Sequence, residues 1–118
     1  ASIAAVARNC PKLAMLNVDW CANLTASTAA VVEYCLNLTQ LYLEDCGITA
    51  LPESIGRLSK LREFVLDDNQ LKALPRSIVD LDDWCYIGLQ NNPLLQTPPY
   101  EIARQGIPAI RRYFEGLA

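Results

Sequence analysis

Histidine is absent from the 118 residues. Without an imidazole there is no ordinary base to activate a serine or cysteine nucleophile. The cysteines also lack a Cys-x-x-Cys pair, so a tetrahedral zinc site has no donor set. Glycine is scarce, with five scattered residues, and no Gly-rich phosphate loop can be drawn from them. Apolar runs are each broken within about eight residues, too short to span a bilayer. Positive charge is also short: 10 basic against 13 acidic residues, net charge −3 and pI about 4.8 argue against a nucleic-acid partner. The opening Ala1-Ser2-Ile3-Ala4-Ala5-Val6-Ala7-Arg8 has no basic start ahead of its apolar residues, which speaks against a signal peptide. The missing initiator methionine reads as a piece excised from a longer chain.

Apolar residues are plentiful at 52%, ample for one packed domain. They recur in a fixed frame. Leu13-x-x-Leu16-x-Val18-x-x-Cys21 is followed by Leu38-x-x-Leu41-x-Leu43-x-x-Cys46, then Leu61-x-x-Phe64-x-Leu66-x-x-Asn69, then Trp84-x-x-Ile87-x-Leu89-x-x-Asn92. The step between copies is 25 residues, then 23, then 23. A unit this small cannot bury its apolar face alone, and stacking the copies makes one continuous core. The chain divides into repeats at about 10–34, 35–57, 58–80 and 81–105, with a C-terminal cap over 106–118.

The repeats come in two kinds. In the first half, Ile3–Asn9 and Val31–Tyr34 carry apolar residues at helical spacing and end at Cys-x-x-Leu just before the strand, so α-helices are expected there. Thr25, Ser27 and Thr28 are N-cap candidates for the second helix. From Ile48 onward, Ile48-Thr49-Ala50-Leu51-Pro52-Glu53-Ser54-Ile55-Gly56-Arg57-Leu58 matches Leu71-Lys72-Ala73-Leu74-Pro75-Arg76-Ser77-Ile78-Val79-Asp80-Leu81 position for position. The few residues left before the next strand fit a short 3₁₀ turn rather than a full helix. The α-helical repeats should then curve the array more tightly than the 23-residue ones. The C-terminal stretch puts Ile110, Tyr113, Phe114 and Leu117 on one helical face, with Arg111 and Arg112 opposite, as a cap over the last repeat requires.

The cysteines follow the repeat. Cys10 and Cys35 share one position, Cys21 and Cys46 another, and Cys85 stands in the last strand. Repeated positions imply small buried side chains in reduced form, and hence a cytoplasmic protein. The sequons Asn23-Leu24-Thr25 and Asn37-Leu38-Thr39 lie inside the repeat frame and are discounted. Asn69 and Asn92, at the strand exits, should hydrogen-bond the backbone of neighbouring repeats; Cys21 and Cys46 fill the same slot. Trp84 holds a leucine position and should be core, whereas Trp20 should be exposed.

On these residues the chain resembles the leucine-rich-repeat family over essentially its whole length. The first half, with Asn9-Cys10-Pro11-Lys12-Leu13 and Cys21-Ala22-Asn23-Leu24-Thr25, is similar to the cysteine-containing repeats of F-box leucine-rich-repeat proteins, with no F-box among these 118 residues. The second half, with Asn69-Gln70-Leu71-Lys72-Ala73-Leu74-Pro75, is similar to intracellular 23-residue repeats. Its ending, from Asn92-Pro93-Leu94 through Gly106 to Tyr113, resembles the last repeat and closing helix of Roco-type proteins. The resemblance implies an α/β leucine-rich-repeat solenoid: a curved right-handed superhelix with a short parallel β-sheet on its concave face, helices or 3₁₀ turns on its convex face, and a capping helix. It also implies protein binding.

In each strand the frame residues point inward and those between them outward. The outward columns read Met15, Gln40, Glu63, Tyr86; then Asn17, Tyr42, Val65, Gly88; then Asp19, Glu44, Asp67, Gln90; and, at the strand exits, Trp20, Asp45, Asp68, Asn91. Six of these sixteen are carboxylates and none is Lys or Arg, so the face should meet a basic protein surface. The candidate protein-binding residues are Asp19, Trp20, Tyr42, Glu44, Asp45, Glu63, Asp67, Asp68 and Tyr86, with the aromatics as anchors. Flat strands do not gather the six to eight oxygens that Ca²⁺ takes. An open face should also leave its carboxylates unshifted, against acid–base hydrolysis.

A non-enzymatic intracellular protein-interaction module, without cofactor, metal, nucleic acid or membrane, is therefore the expected function. Two alternatives stand beside it. One is an engineered or excised repeat scaffold that self-assembles through an uncapped N-terminal end. The other is the regulatory or substrate-recognition segment of a larger ubiquitin-ligase adaptor or Roco-type GTPase.

Overall fold

A computed structural model describes residues 3–18 and 25–116. The elements run α1 (Ile3–Asn9), β1 (Met15–Asn17), α2 (Thr25–Tyr34), β2 (Gln40–Tyr42), a first 3₁₀ helix (Ile55–Arg57), β3 (Glu63–Val65), a second 3₁₀ helix (Arg76–Asp80), β4 (Tyr86–Gly88), α3 (Tyr100–Ala103) and α4 (Ile107–Gly116). The four strands form one parallel sheet in sequence order. Leu16, Leu41, Phe64 and Ile87 lie side by side in register, each at the second position of its strand. This is an α/β repeat fold, and the 23- and 25-residue steps of the frame are its strand register.

The frame residues make the core. Leu38, Leu41, Leu43, Leu61, Phe64, Leu66 and Leu89 are buried, as are Ile48, Leu58, Leu71, Ile78 and Leu81 from the return segments. Leu13 and Leu16 at the first repeat are only partly covered. The two expected kinds of repeat are both present: α-helices in the first half and 3₁₀ turns in the second. Gly56 shows how closely the two 3₁₀ turns approach. A Cβ there would collide with the Ser77 carbonyl oxygen, and its N–H donates to Ser77 Oγ at 3.3 Å.

The first three strands are entered through the same tight turn. Leu13 N donates to Cys10 O, Leu38 N to Cys35 O and Leu61 N to Leu58 O, at 3.1–3.3 Å. The fourth repeat departs from this. Its turn closes one residue later, from Cys85 N to Asp82 O at 2.9 Å, with Asp82 Oδ2 accepting the Trp84 N–H at 3.2 Å. The slip corrects the frame: Cys85 is buried and Trp84, expected in the core, is 90% exposed. The aspartate supplies a turn-forming side chain, and a thiol takes the inward direction that leucine takes in earlier repeats.

Two further expectations change. Thr25 and Thr28 do not act as expected of N-caps. Thr25 is the first residue of α2 and its Oγ1 accepts the Thr49 N–H of the next repeat at 3.0 Å, while Thr28 Oγ1 donates back to Thr25 O at 2.7 Å; Ser27 also lies within the helix. In α4, Ile107, Ile110 and Phe114 are buried and Tyr113 packs edge-on to Phe114. Arg111, however, does not point away. Its guanidinium donates to Val79 O and pairs with Asp83, both at 2.8 Å. Val79 sits in the last turn of a 3₁₀ helix, where a carbonyl lacks an intrahelical partner. Arg76 completes the clamp, lying 5.4 Å from the Phe114 ring centroid and donating to Phe114 O at 3.4 Å. Leu117, Asp19, Trp20, Cys21 and the first sequon's Asn23-Leu24 fall outside the described residues.

The asparagine slot is the densest polar feature. Asn69 is buried; its Oδ1 accepts Cys46 N and Ile48 N at 3.0 Å each, and its Nδ2 donates to Leu43 O at 2.8 Å and Leu66 O at 2.9 Å. Asn92 repeats this one step on, to Leu71 N, Leu66 O and Leu89 O. Cys46 occupies the corresponding slot with a thiol that donates to Val18 O at 3.1 Å. Asn69→Ala orphans several buried backbone groups at about 1–3 kcal/mol each, and should lower stability by roughly 3–5 kcal/mol in urea denaturation. Gln70→Ala, on an exposed neighbour, should change it by less than about 0.5 kcal/mol.

Candidate functional site

Seven of the nine candidate residues are described. The register places Met15, Gln40, Glu63 and Tyr86 in one column and Asn17, Tyr42, Val65 and Gly88 in the next. All eight alternate with the buried column, so they share the sheet's outer face. Met15 and Tyr86 are more than half exposed, at 54% and 56%. Tyr42 and Glu63 sit diagonally on adjacent strands, and Tyr42 Oη donates to Glu63 Oε2 at 2.6 Å. This is a charge-assisted bond that fixes both side chains against the sheet.

Asp67 lies over the next strand. Its Oδ1 accepts the Gln90 N–H at 3.1 Å, and a Cβ added to Gly88 would sit 2.7 Å from that oxygen and 3.3 Å from the Tyr86 ring. A bare backbone at Gly88 is what lets Asp67 and Tyr86 converge there. Burial pushes the Asp67 carboxyl above its ordinary range; the Gln90 amide pulls it back and the Asp68 charge adds to the rise. The expectation that this face leaves its carboxylates unshifted therefore fails at Asp67.

Asp45 and Asp68 have a backbone role besides their charge. Both adopt positive φ, 53° and 61°, as does Asn91 at 59°. Left-handed backbone costs most residues energy but is accessible to Asp and Asn. The column at the strand exits is acidic partly because the turn demands these residue types. Asn91 Nδ2 also donates to Asp68 Oδ1 at 2.8 Å, linking two repeats. A shallow depression of about 560 Å³ runs along this exit edge, lined by Asp45, Asp68, Asn69, Gln70, Asn91 and Pro93. Among the described residues no group of three or more Cys, Asp or Glu side chains is placed to hold a metal ion.

No Lys or Arg occupies an outward position of the described strands. Arg104, which lines a hollow with Tyr86 and Gln90 at the last repeat, pairs with Glu101 at 3.4 Å. The candidate residues thus form two groups: Tyr42, Glu63, Asp67 and Tyr86 on the sheet face, and Asp45 and Asp68 at its exit edge with Glu44 leading into it.

The four described cysteines are free thiols, and only Cys10 is exposed. Burial raises the Cys35 thiol, with Cys10 adding to it, and raises the Cys85 thiol to about 12, with Asp82 adding. No helix among the described residues is long and apolar enough to cross a membrane.

With this geometry in view, comparison with known proteins gives a consistent class. Residues 37–58, which carry the second copy of the frame, match the family described as Leucine Rich Repeat. The chain is 35% identical over 65 residues to the Disease resistance-like protein DSC1 of Arabidopsis thaliana, covering 55% of this chain and 5% of that protein. It is 30% identical over 109 residues to Chaoptin of Drosophila melanogaster, covering 92% of this chain and 8% of that protein. The chain spans less than a tenth of the length of either relative. Together with the repeat fold, these findings support a leucine-rich-repeat protein.

Two outcomes follow. Asp67 has a raised folded pKa, so the folded state binds more protons than the unfolded one between the ordinary aspartate value and the raised value. Stability should fall as pH rises through that window. Asp67→Asn keeps the Oδ1 acceptor, and should stabilise the protein at pH 7 with the advantage vanishing below the ordinary aspartate pKa, about 3.9; pH-resolved urea midpoints measure this. In thiol labelling followed by mass spectrometry, Cys10 should react in the native state and Cys35, Cys46 and Cys85 only with unfolding.

Proposed function

We propose that this chain is a protein-interaction module, non-enzymatic, that binds a partner's basic surface through the outer face of its four-stranded sheet, the concave face of a curved repeat array. One observation carries the reading: the outward columns place Tyr42, Glu63, Asp67 and Tyr86 together with no cation among them. The tyrosines supply area at low entropic cost and the carboxylates supply long-range attraction. Glu44, Asp45 and Asp68 extend the negative potential to the exit edge, and Asp19 and Trp20 are assigned to the same face from their frame positions. Buried free thiols at Cys35, Cys46 and Cys85 favour a cytoplasmic setting.

A second reading fits the comparisons: the chain is the recognition segment of a much larger protein, as its small share of both relatives suits. The two are compatible, because a recognition segment acts through the same face. The F-box and Roco-like subtype assignments belong to this second reading.

The test is a charge and anchor substitution that spares the fold. Asp67→Lys is a poor choice, since Asp67 holds the Gln90 amide and is half-buried. Glu44→Lys combined with Tyr86→Ala should weaken binding of a partner captured from cytosol by about tenfold or more, with an unchanged circular dichroism spectrum. Binding should also fall steeply with added salt. Undiminished binding by the double variant, or binding that persists at about 1 M salt, would contradict the proposal.

A further inference from the structure

We propose that the opposite edge of the sheet, where the strands begin, is a second interaction surface, built on Trp84, Lys60 and Arg62, that takes an acidic segment of a partner protein. Trp84 is 90% exposed, while Leu38 and Leu61 at the same frame position are fully buried. Leaving an indole in water forfeits the stabilisation its burial would give. The slipped turn that holds it outward is well made, with Asp82 accepting the Trp84 N–H and the Cys85 N–H closing onto Asp82 O. The fold thus presents the largest side chain type at a fixed point on its rim.

The surroundings fit an anion. A depression of about 360 Å³ is lined by Thr39, Ser59, Lys60, Leu61, Arg62 and Asp82, and Asp82 ties it to the Trp84 backbone. Arg62 is exposed and has no ion-pair or side-chain hydrogen-bond partner among the described residues. The Lys60 ammonium donates to Asn37 Oδ1 at 2.8 Å, which leaves two of its three donors to spare. Asp82 is the one carboxylate among the residues that line the depression with these two cations, and the neighbouring Asp83 is paired with Arg111 at 2.8 Å. The sign is opposite to that of the strand-exit edge, with Asp45 and Asp68. Trp and Arg are the residue types most enriched at binding hot spots. A segment carrying Asp or Glu beside one large apolar residue would pair its carboxylates with Arg62 and Lys60 and lay that residue on the indole. Because the charge requirement is reversed, this surface stands or falls separately from the sheet face.

The probe is a synthetic acetyl-Glu-Leu-Glu-Glu-Leu-Glu-amide, titrated into ¹⁵N-labelled protein at about 50 mM salt, with the charge-reversed lysine peptide as control. The Trp84 indole signal is assigned with Trp84→Phe. The acidic peptide should shift that signal saturably, and Arg62→Glu and Trp84→Ala should each weaken binding about fivefold or more. Both positions are exposed, so circular dichroism should be unchanged. The basic peptide should leave the indole signal in place. The proposal is overturned by the absence of a saturable shift, by binding that withstands both substitutions, or by Trp84-dependent dimerisation in sedimentation without a response to peptide.

Discussion

Backbone groups buried at the strand exits are the constraint on which this structure depends. Each repeat must turn sharply after its strand and run back along the stack. The turn leaves amides and carbonyls of two adjacent repeats inside the core, where an unmade hydrogen bond is costly. Asn69 and Asn92 answer it with one carboxamide each, accepting from amides of the preceding repeat and donating to carbonyls of both. Leucine packing supplies the driving force for stacking. The asparagine slot decides the register in which the units stack, because a shift of one residue would strand those donors and acceptors.

The surface chemistry grows from the same arrangement. With register held, side chains two residues apart on adjacent strands become neighbours, and Tyr42 reaches Glu63. Left-handed turns at the exits call for Asp or Asn, and where Asp fills them, at Asp45 and Asp68, negative charge collects along one edge. At the entry edge no such demand exists, and Lys60 and Arg62 occupy it. The result is a sheet whose two ends differ in sign, a consequence of turn geometry as much as of any ligand. The tyrosines are different: neither packing nor turns require them on an outward face.

Much of this was legible in the residues. The spacing of Leu38, Leu41 and Leu43 against Leu61, Phe64 and Leu66 implies the strand register directly, since the side-chain period of a strand is two and the repeat length fixes the rest. Pro52 and Pro75, with few residues to follow, were enough to separate 3₁₀ turns from helices. Trp84 was misplaced because a periodic frame assumes that every turn closes at the same residue, and Asp82 moves the closure by one. The consecutive Asp82-Asp83 before the tryptophan was the available signal. Arg111 escaped for another reason: helical spacing orders the residues around an axis but does not show that the Val79 carbonyl, in the last turn of a 3₁₀ helix, lies within reach. The backbone role of Asp45 and Asp68 was hidden because a carboxylate at a turn and one at an interface look alike in sequence. The rise at Asp67 comes first from burial, which a column of outward positions does not report.

The central claim is that the sheet face, with its paired tyrosines and carboxylates, is where a partner docks. A backbone amide shift map of the ¹⁵N-labelled chain with a captured partner tests it most directly. The account predicts the largest shifts at Gln40, Tyr42, Glu63, Val65, Tyr86 and Gly88. Shifts confined to α2 and the two 3₁₀ helices, with those six amides unmoved, would contradict it.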